Sequence, residues 1–234
     1  MPDYLKARER SVSNLQRLYV IVVSLGIAYY IRHLVEVINE VGIFNILNYY
    51  NDLFMFISYI FIVVPFFHGA NRYLDATYVT GERSGKTYGL LIDFVALFAQ
   101  GLVLFVLAIV SSVSREVFYT TLVFLLVLDI IWVGLTYFTA DKEHEERPKF
   151  TKWASINIIA VAALLVSVWS NLFNWEFWHC EHVKNIMLLA IVVTRTVFDY
   201  LLVWDFYYPP PDGFEQTPAP LPAPPPSRVN GSED

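Results

Sequence analysis

Long apolar stretches separated by short polar ones dominate the pattern of this chain. A helix that crosses a membrane needs about 20 mostly apolar residues, and six stretches reach that length. They are Leu15–Val37, Leu53–Val79, Tyr88–Val113, Val117–Ala140, Lys152–Phe173 and Lys184–Tyr207. The pattern therefore predicts an all-α fold, a polytopic transmembrane bundle of six membrane-spanning helices whose main partner is the lipid bilayer.

The segments on either side of this bundle are polar. Residues 1–14 are rich in charge and are expected to form a short cytoplasmic segment, followed by the transmembrane domain over residues 15–207. From residue 208 the chain is Pro-rich, which favours disorder or polyproline II over a packed core. We expect a solvated, disordered cytoplasmic tail over residues 208–234. The alternative is that this tail contacts a cytoplasmic protein partner that recognises Pro-rich segments.

Lysine and arginine in the connecting segments predict the orientation of the helices, because cytoplasmic loops are enriched in both. The basic segments are the N-terminus and the loops after the second and fourth stretches. They carry Lys6, Arg8, Arg10, Arg17, Arg83, Lys86, Lys142, Arg147, Lys149 and Lys152. The alternate connections carry only Arg115 and Lys184. We therefore expect both termini in the cytoplasm, in a multi-pass protein of the bacterial inner (plasma) membrane.

Aromatic residues near the predicted helix ends suit an interfacial belt. They are Tyr49, Tyr50, Trp175, Trp178, Tyr207 and Tyr208. Arg32 and Glu36, an i, i+4 pair at the outer end of the first stretch, are expected to snorkel to the membrane surface.

Composition narrows the classes of function. Of 234 residues, 56% are hydrophobic and 16% are charged, whereas soluble domains carry roughly a quarter of charged residues. The net charge of −6 is a poor guide to partners in a chain whose main solvent is lipid. No basic stripe alternates with exposed aromatics, so nothing indicates nucleic-acid binding. Cys180 is the single cysteine, so an intrachain disulfide is excluded.

Ionisable residues inside the apolar stretches are the candidate chemistry, since burying them in lipid costs several kcal/mol and they mark functional sites by default. In the second stretch His68, Arg72 and Asp75 recur at i, i+4 and i+7 and share one helix face. Pro65, just before them, is expected to kink the helix and free a backbone carbonyl. The full candidate set is His68, Asn71, Arg72, Asp75, Asp93, Gln100, Asp129, Asn157, Arg195 and Asp199.

The depth of these residues supports one shared pocket. At 1.5 Å per residue, the candidates on helices two to six all fall between the cytoplasmic end and the middle of the membrane. Unrelated polar residues would scatter over both halves. We therefore expect a single polar pocket that opens toward the cytoplasm.

Charge counting suggests what the pocket handles. Two arginines face four aspartates in this region, and Asp129 has no basic residue within a turn of its own helix. A buried carboxylate without a cationic partner takes up a proton or recruits a cation. We expect protonation sites at His68 and Asp129, in a small transporter or channel subunit for protons, cations or a small polar solute. Six helices are few for a lone transporter, so a homo-oligomer is plausible.

A structural interpretation competes with this one. The pairs of Arg195 with Asp199 and of Arg72 with Asp75 would also hold helices together in a membrane. The alternative function is therefore a membrane-embedded sensor, effector or accessory subunit whose polar core is structural or binds a ligand.

An enzyme is the least favoured class, and no catalytic residue is assigned. The chain has no G-x-S-x-G motif, and Gly81 and Gly85 lie one residue too close together for a phosphate-binding P-loop. No cofactor and no metal are predicted. The His179, Cys180, Glu181 and His182 run matches no standard zinc spacing, although a soft-metal site there stays open.

Overall fold

The computed structural model describes residues 3–42, 50–79, 87–139, 147–169 and 181–208. These residues form helices α1 Asp3–Val41, α2 Tyr50–Leu74, α3 Thr87–Ser111, α4 Arg115–Thr139, α5 Arg147–Trp169, α6 Glu181–Leu202 and the short α7 Trp204–Tyr207. Helices α1 to α6 are each long and apolar enough to cross a membrane. This confirms the prediction of an all-helical chain with six candidate spans. The Pro-rich tail and the basic loops that contain Arg83 and Lys142 lie outside the described residues.

The six long helices close into a ring. Helix α1 packs on α2 and α3, α3 packs on α4, α4 on α5, α5 on α6, and α6 packs back on α2. Contacts between Gln16 and Asp75 and between Tyr30 and Phe56 show that α1 and α2 run in opposite directions. We call the end of the bundle where α1 begins and α2 finishes the near end, and the opposite end the far end.

Helix α1 begins at Asp3, well before the predicted stretch at Leu15. Many of the residues that precede Leu15 are strong helix formers, namely Leu, Lys, Ala, Arg and Glu. They also carry an inward-facing apolar position at Val12, which is buried. Arg8 lies over the ring of Tyr78, with 4.9 Å from the guanidinium carbon to the ring centroid. The charged N-terminal residues therefore extend α1 and pack against the end of α2.

Helix α2 departs from regular geometry at two places. Pro65 has no N–H to donate to the carbonyl of Phe61, one turn earlier. Thr196 of α6 donates its hydroxyl to that carbonyl at 2.7 Å, which is the freed carbonyl expected from the sequence. After Leu74 the helix widens into a π-helical turn, Asp75–Val79, a distortion that is frequent at functional sites.

The chain turns inward after α6. Val203 leaves the helical conformation with φ −126°, and α7 directs Phe206 and Tyr207 into the bundle, where both are buried. The prediction that Tyr207 joins an interfacial belt is wrong, because the side chain packs against polar and aromatic groups inside the protein. Tyr208 is exposed, as expected.

Candidate functional site

Asp129 of α4 lies between two amide side chains from its neighbouring helices. Gln100 of α3 donates Nε2–H to Asp129 Oδ1 at 2.7 Å, and Asn157 of α5 donates Nδ2–H to Oδ2 at 2.5 Å. Only 8% of Asp129 is exposed. The carboxyl group is thus held in the interior by neutral donors on both of its oxygens.

Arg195 of α6 joins this group through Asn157. Its Nε donates to Asn157 Oδ1 at 3.0 Å, and its guanidinium lies 4.8 Å from the ring centroid of Phe66. Its Nη1 is 3.7 Å from Asp199 Oδ2. Asn157 therefore accepts from the cation with its oxygen and donates to the Asp129 carboxylate with its nitrogen, which fixes the orientation of the amide.

Tyr207 connects Asp199 with the near end. Its hydroxyl donates to Asp199 Oδ2 at 3.1 Å, and its side chain is buried. Gly69 makes room for this contact, since a Cβ there would lie 3.2 Å from the Tyr207 hydroxyl.

His68 lies next to this tyrosine and is half-buried. Its ring centroid is 4.7 Å from that of Tyr207. Its Nδ1 is 3.2 Å from the Tyr200 hydroxyl. Among the side chains of this polar site, the His68 imidazole is therefore more exposed than the buried Asp199 and Tyr207 beside it.

A cavity of about 30 Å³ lies among these side chains. Its polar lining comes from Gln100, Asp129, Arg195, Asp199 and Tyr207, and the remaining wall is aromatic or apolar. The space suits a water molecule. Arg195 Nη1 and Asp199 Oδ1 are buried without a hydrogen-bond partner among the described residues. Since native proteins pair nearly all buried polar groups with protein or water, the cavity lies where a small polar occupant is needed.

Asp93 belongs to a second, separate cluster. Its carboxyl group accepts hydrogen bonds from Tyr73 at 3.0 Å, from Tyr78 at 2.6 Å and from Trp132 Nε1 at 2.8 Å. These donors come from α2, the π-helical turn and α4. Asp93 therefore ties these three elements to α3. Trp132 is shared by both groups, since it also lines the cavity.

The remaining candidates of α2 face other partners. Asp75 accepts from Gln16 Nε2 of α1 at 2.8 Å, and Asn71 donates to the carbonyl of Phe67 in its own helix. Arg72 donates Nε–H to the Phe206 carbonyl at 2.8 Å, at the end of α7 where a cation is favoured. For Asp75 and Arg72, the neighbouring elements rather than the i, i+4, i+7 spacing decide what the side chain contacts.

Sequence reasoning missed the aromatic members of both clusters, namely Tyr73, Tyr78, Trp132 and Tyr207. In an apolar helix these residues resemble ordinary core residues. The available signal is physical: a buried tyrosine or tryptophan usually finds a hydrogen-bond partner, and several lie at the depth of the predicted aspartates.

Arg32 and Glu36 lie apart from the site. They form an exposed ion pair of 2.9 Å toward the far end of α1, in the position that the sequence indicated.

Within the described part of the chain, no three His, Cys, Asp or Glu side chains are grouped to hold a metal ion. His179 and Cys180 of the possible soft-metal run lie outside the described residues.

Comparisons with known proteins supply no functional assignment for this chain. No protein-family model matches it, and no curated protein or solved structure matches it. Its function is therefore inferred from the geometry of the polar site itself.

Proposed function

We propose that this protein is an integral protein of the bacterial inner membrane, with both termini in the cytoplasm, that conducts protons or small cations. The supporting observation is a continuous line of buried polar side chains beside a small cavity. Along the line, each side chain contacts the next in the order Gln100, Asp129, Asn157, Arg195, Asp199 and Tyr207. Such groups are costly in lipid and are kept mainly where they serve a function.

The size of the cavity narrows the class of substrate. Pockets for small organic ligands measure about 300–1,000 Å³, whereas the cavity beside Asp129 measures about 30 Å³. This space suits water, a proton carried by water or a dehydrated cation. The small polar solute considered from the sequence is therefore less favoured than a proton or a cation.

The surroundings of each group suggest its role. Asp129 accepts from neutral amides on both oxygens and borders the cavity, from which it would take up and release a proton. Arg195 stays close to Asp199 and keeps a positive charge beside the cavity. His68 is half-buried toward the near end, where it would exchange protons with the cytoplasm.

The second candidate is a sensor or accessory subunit, which would use the same polar groups to fix the bundle. The observation that favours it is the small volume of the cavity, because interhelical hydrogen bonds alone stabilise membrane bundles. In this case the Pro-rich tail, residues 209–234, would contact a cytoplasmic partner, and deletion of the tail would remove the cellular phenotype.

Proton flux into liposomes distinguishes these functions. Purified protein is reconstituted with an internal pH-sensitive dye, and flux is driven by a membrane potential. We expect Asp129→Asn and Arg195→Gln each to lower the flux by about tenfold or more, since a barrier increase of about 1.4 kcal/mol suffices.

Arg32→Gln is the matched control, because Arg32 also pairs with an acid four residues later but is exposed and distant from the cavity. It should retain the wild-type flux. Undiminished flux in both site variants, with folding verified by gel filtration, would contradict the proposed site.

A further inference from the structure

The cavity beside Asp129 is lined by more acids than bases. Among the described residues, its charged lining consists of two acids, Asp129 and Asp199, and one base, Arg195. All three side chains belong to residues that are buried. A buried charge without a compensating partner is costly, and an acid in this position takes up a proton or recruits a cation. With both acids ionised, the lining therefore carries an excess of one negative charge.

Arg195 contacts the two acids unequally. Its Nη1 lies 3.7 Å from Asp199 Oδ2. Its link to Asp129 runs through the amide of Asn157, which accepts from Arg195 Nε and donates to Asp129 Oδ2. The cation is thus paired directly with Asp199, whereas Asp129 accepts from the neutral amides of Gln100 and Asn157. Asp129 is therefore the acid whose charge is less well compensated.

A proton suits this excess charge better than a metal cation does. The guanidinium of Arg195 belongs to the same lining and repels a second cation held between the two acids. Hard metal ions also need several converging oxygens, about six to eight for Ca²⁺. A proton needs one lone pair, and a carboxylate oxygen that accepts one hydrogen bond keeps a second lone pair. Asp129 can therefore bind a proton without giving up Gln100 or Asn157.

Water in the cavity would connect the two acids. Arg195 Nη1 and Asp199 Oδ1 are a donor and an acceptor that are both buried without a hydrogen-bond partner among the described residues. A water molecule can accept from the first and donate to the second. The cavity measures about 30 Å³, which exceeds the about 10–15 Å³ that one water molecule requires. Because Asp129 lines the same cavity, its carboxyl group has access to the same water.

We propose that Asp129 and Asp199 share a single proton through water in the cavity, with Arg195 as their common counterion. This inference rests on the proposed function and identifies the proton-binding groups of its site. To move the proton, the water oxygen accepts it from Asp129 and releases another of its protons to Asp199 Oδ1. Asp129 becomes a carboxylate as Asp199 becomes a carboxylic acid, so the lining stays neutral throughout.

The other ionisable groups near the two acids have partners of their own. Tyr207 donates to Asp199 but is neutral and supplies no charge. Arg72 donates to a backbone carbonyl of α7, and Asp93 accepts three hydrogen bonds in the separate cluster. His68 packs on the ring of Tyr207 and does not belong to the described lining of the cavity. The shared proton is therefore assigned to the two carboxyl groups.

Infrared spectroscopy of the reconstituted protein at neutral pH counts protonated carboxyl groups. Aspartate labelled with ¹³C in its side-chain carboxyl group identifies the C=O band of an aspartic acid, and heavy water shifts that band. We expect the wild type to show a band equivalent to one carboxyl group per chain. Asp129→Asn and Asp199→Asn should each remove it, because Arg195 then balances the one remaining carboxylate.

Three further variants check the assignment of this band. Arg195→Gln should double the area of the band, because both acids then lack a cationic partner and each takes up a proton. Asp205→Asn is the matched control, since Asp205 is an exposed aspartate at the start of α7, and it should leave the band unchanged. Asp93→Asn should also leave it unchanged. A band that Asp93→Asn removes would belong to the separate cluster and would overturn the proposal.

The remaining outcomes separate this inference from the proposed function. Proton flux through a wild-type protein that lacks the band would overturn the shared proton alone. The expected band and its losses in a protein without flux would support the shared proton and overturn conduction. A band that disappears when Na⁺ or K⁺ is added at constant pH would mean that a cation displaces the proton, and this result would overturn the inference. Persistence of the band in Asp129→Asn and Asp199→Asn would overturn it as well.

Discussion

Two aspartates of the same predicted set have different surroundings. Asp93 accepts three hydrogen bonds from aromatic side chains, which closes it off within a rigid group. Asp129 accepts two from the amide side chains of Gln100 and Asn157 and borders the cavity. The first arrangement suits a structural joint, and the second leaves room for a change in protonation. The sequence shows two similar acids in apolar helices, and only their partners distinguish them.

Asp93→Asn tests the structural role of the first carboxyl group. The new NH₂ group would face a donor, so one buried hydrogen bond is lost and the free energy of unfolding should fall by about 1–3 kcal/mol. Equilibrium unfolding in detergent measures this change. Glu116→Gln, an exposed acid at the start of α4, is the control. Equal free energies of unfolding for the two variants would argue against a structural role of Asp93.

At the scale of elements, α2 and α6 are joined by a hydrogen bond to the backbone carbonyl that Pro65 leaves without a donor. Pro65 leaves the Phe61 carbonyl without its helical donor, and Thr196 supplies a hydroxyl from the neighbouring helix. Proline thus creates an acceptor that can bind another helix. The sequence predicted the free carbonyl but could not name the donor, because that depends on how α6 packs.

Thr196→Val should weaken the contact between these two helices. Valine has nearly the same shape but no hydroxyl, so the Phe61 carbonyl loses its donor at a cost of about 1–3 kcal/mol. The melting temperature in detergent should therefore fall. Thr194→Val, an exposed position on the same helix, should change it little. If the two variants have the same melting temperature, the hydrogen bond of Thr196 does not stabilise the bundle.

At the scale of the whole molecule, the ring of helices explains why the site is shared. Helices α3, α4 and α5 each contribute one side chain to the line from Gln100 to Asp199, and α6 contributes both Arg195 and Asp199. Helix α2 contributes Gly69 and His68 beside it. Neighbours in the ring can exchange hydrogen bonds across each interface. No single helix contains a site by itself.

The single cysteine tests the predicted orientation. Cys180 precedes α6 in the sequence, in a connection that the loop charges predict to lie outside the cytoplasm. A membrane-impermeant maleimide should label Cys180 in intact spheroplasts. In a Cys180→Ser background, Ser227→Cys in the tail should be labelled only after lysis. The reverse pattern would invert the topology and move the polar site to the outer half.

Much of the fold followed from local properties. The six apolar helices were predicted from length and hydropathy. The structure brings together the candidates Gln100, Asp129, Asn157, Arg195 and Asp199. The prediction was less complete for α2, whose Asp75 contacts α1 instead of the cavity. The inward turn of α7, which brings Tyr207 to Asp199, was missed. A four-residue helix after a break leaves too weak a pattern to predict.

By itself the sequence determined the number of apolar helices and the backbone carbonyl that Pro65 frees one turn earlier. It also indicated the expected cytoplasmic side of the basic loops. These features depend on local properties of the chain: hydropathy, the missing N–H of proline and the number of basic residues in each loop. The tertiary structure decided which carboxyl groups share a cavity. It separated Asp93 from Asp129, joined Asn157 to Arg195, and placed Tyr59 against Gly26. Hydrogen bonds between helices depend on how neighbouring faces meet, and that geometry is not encoded in the spacing of any one helix.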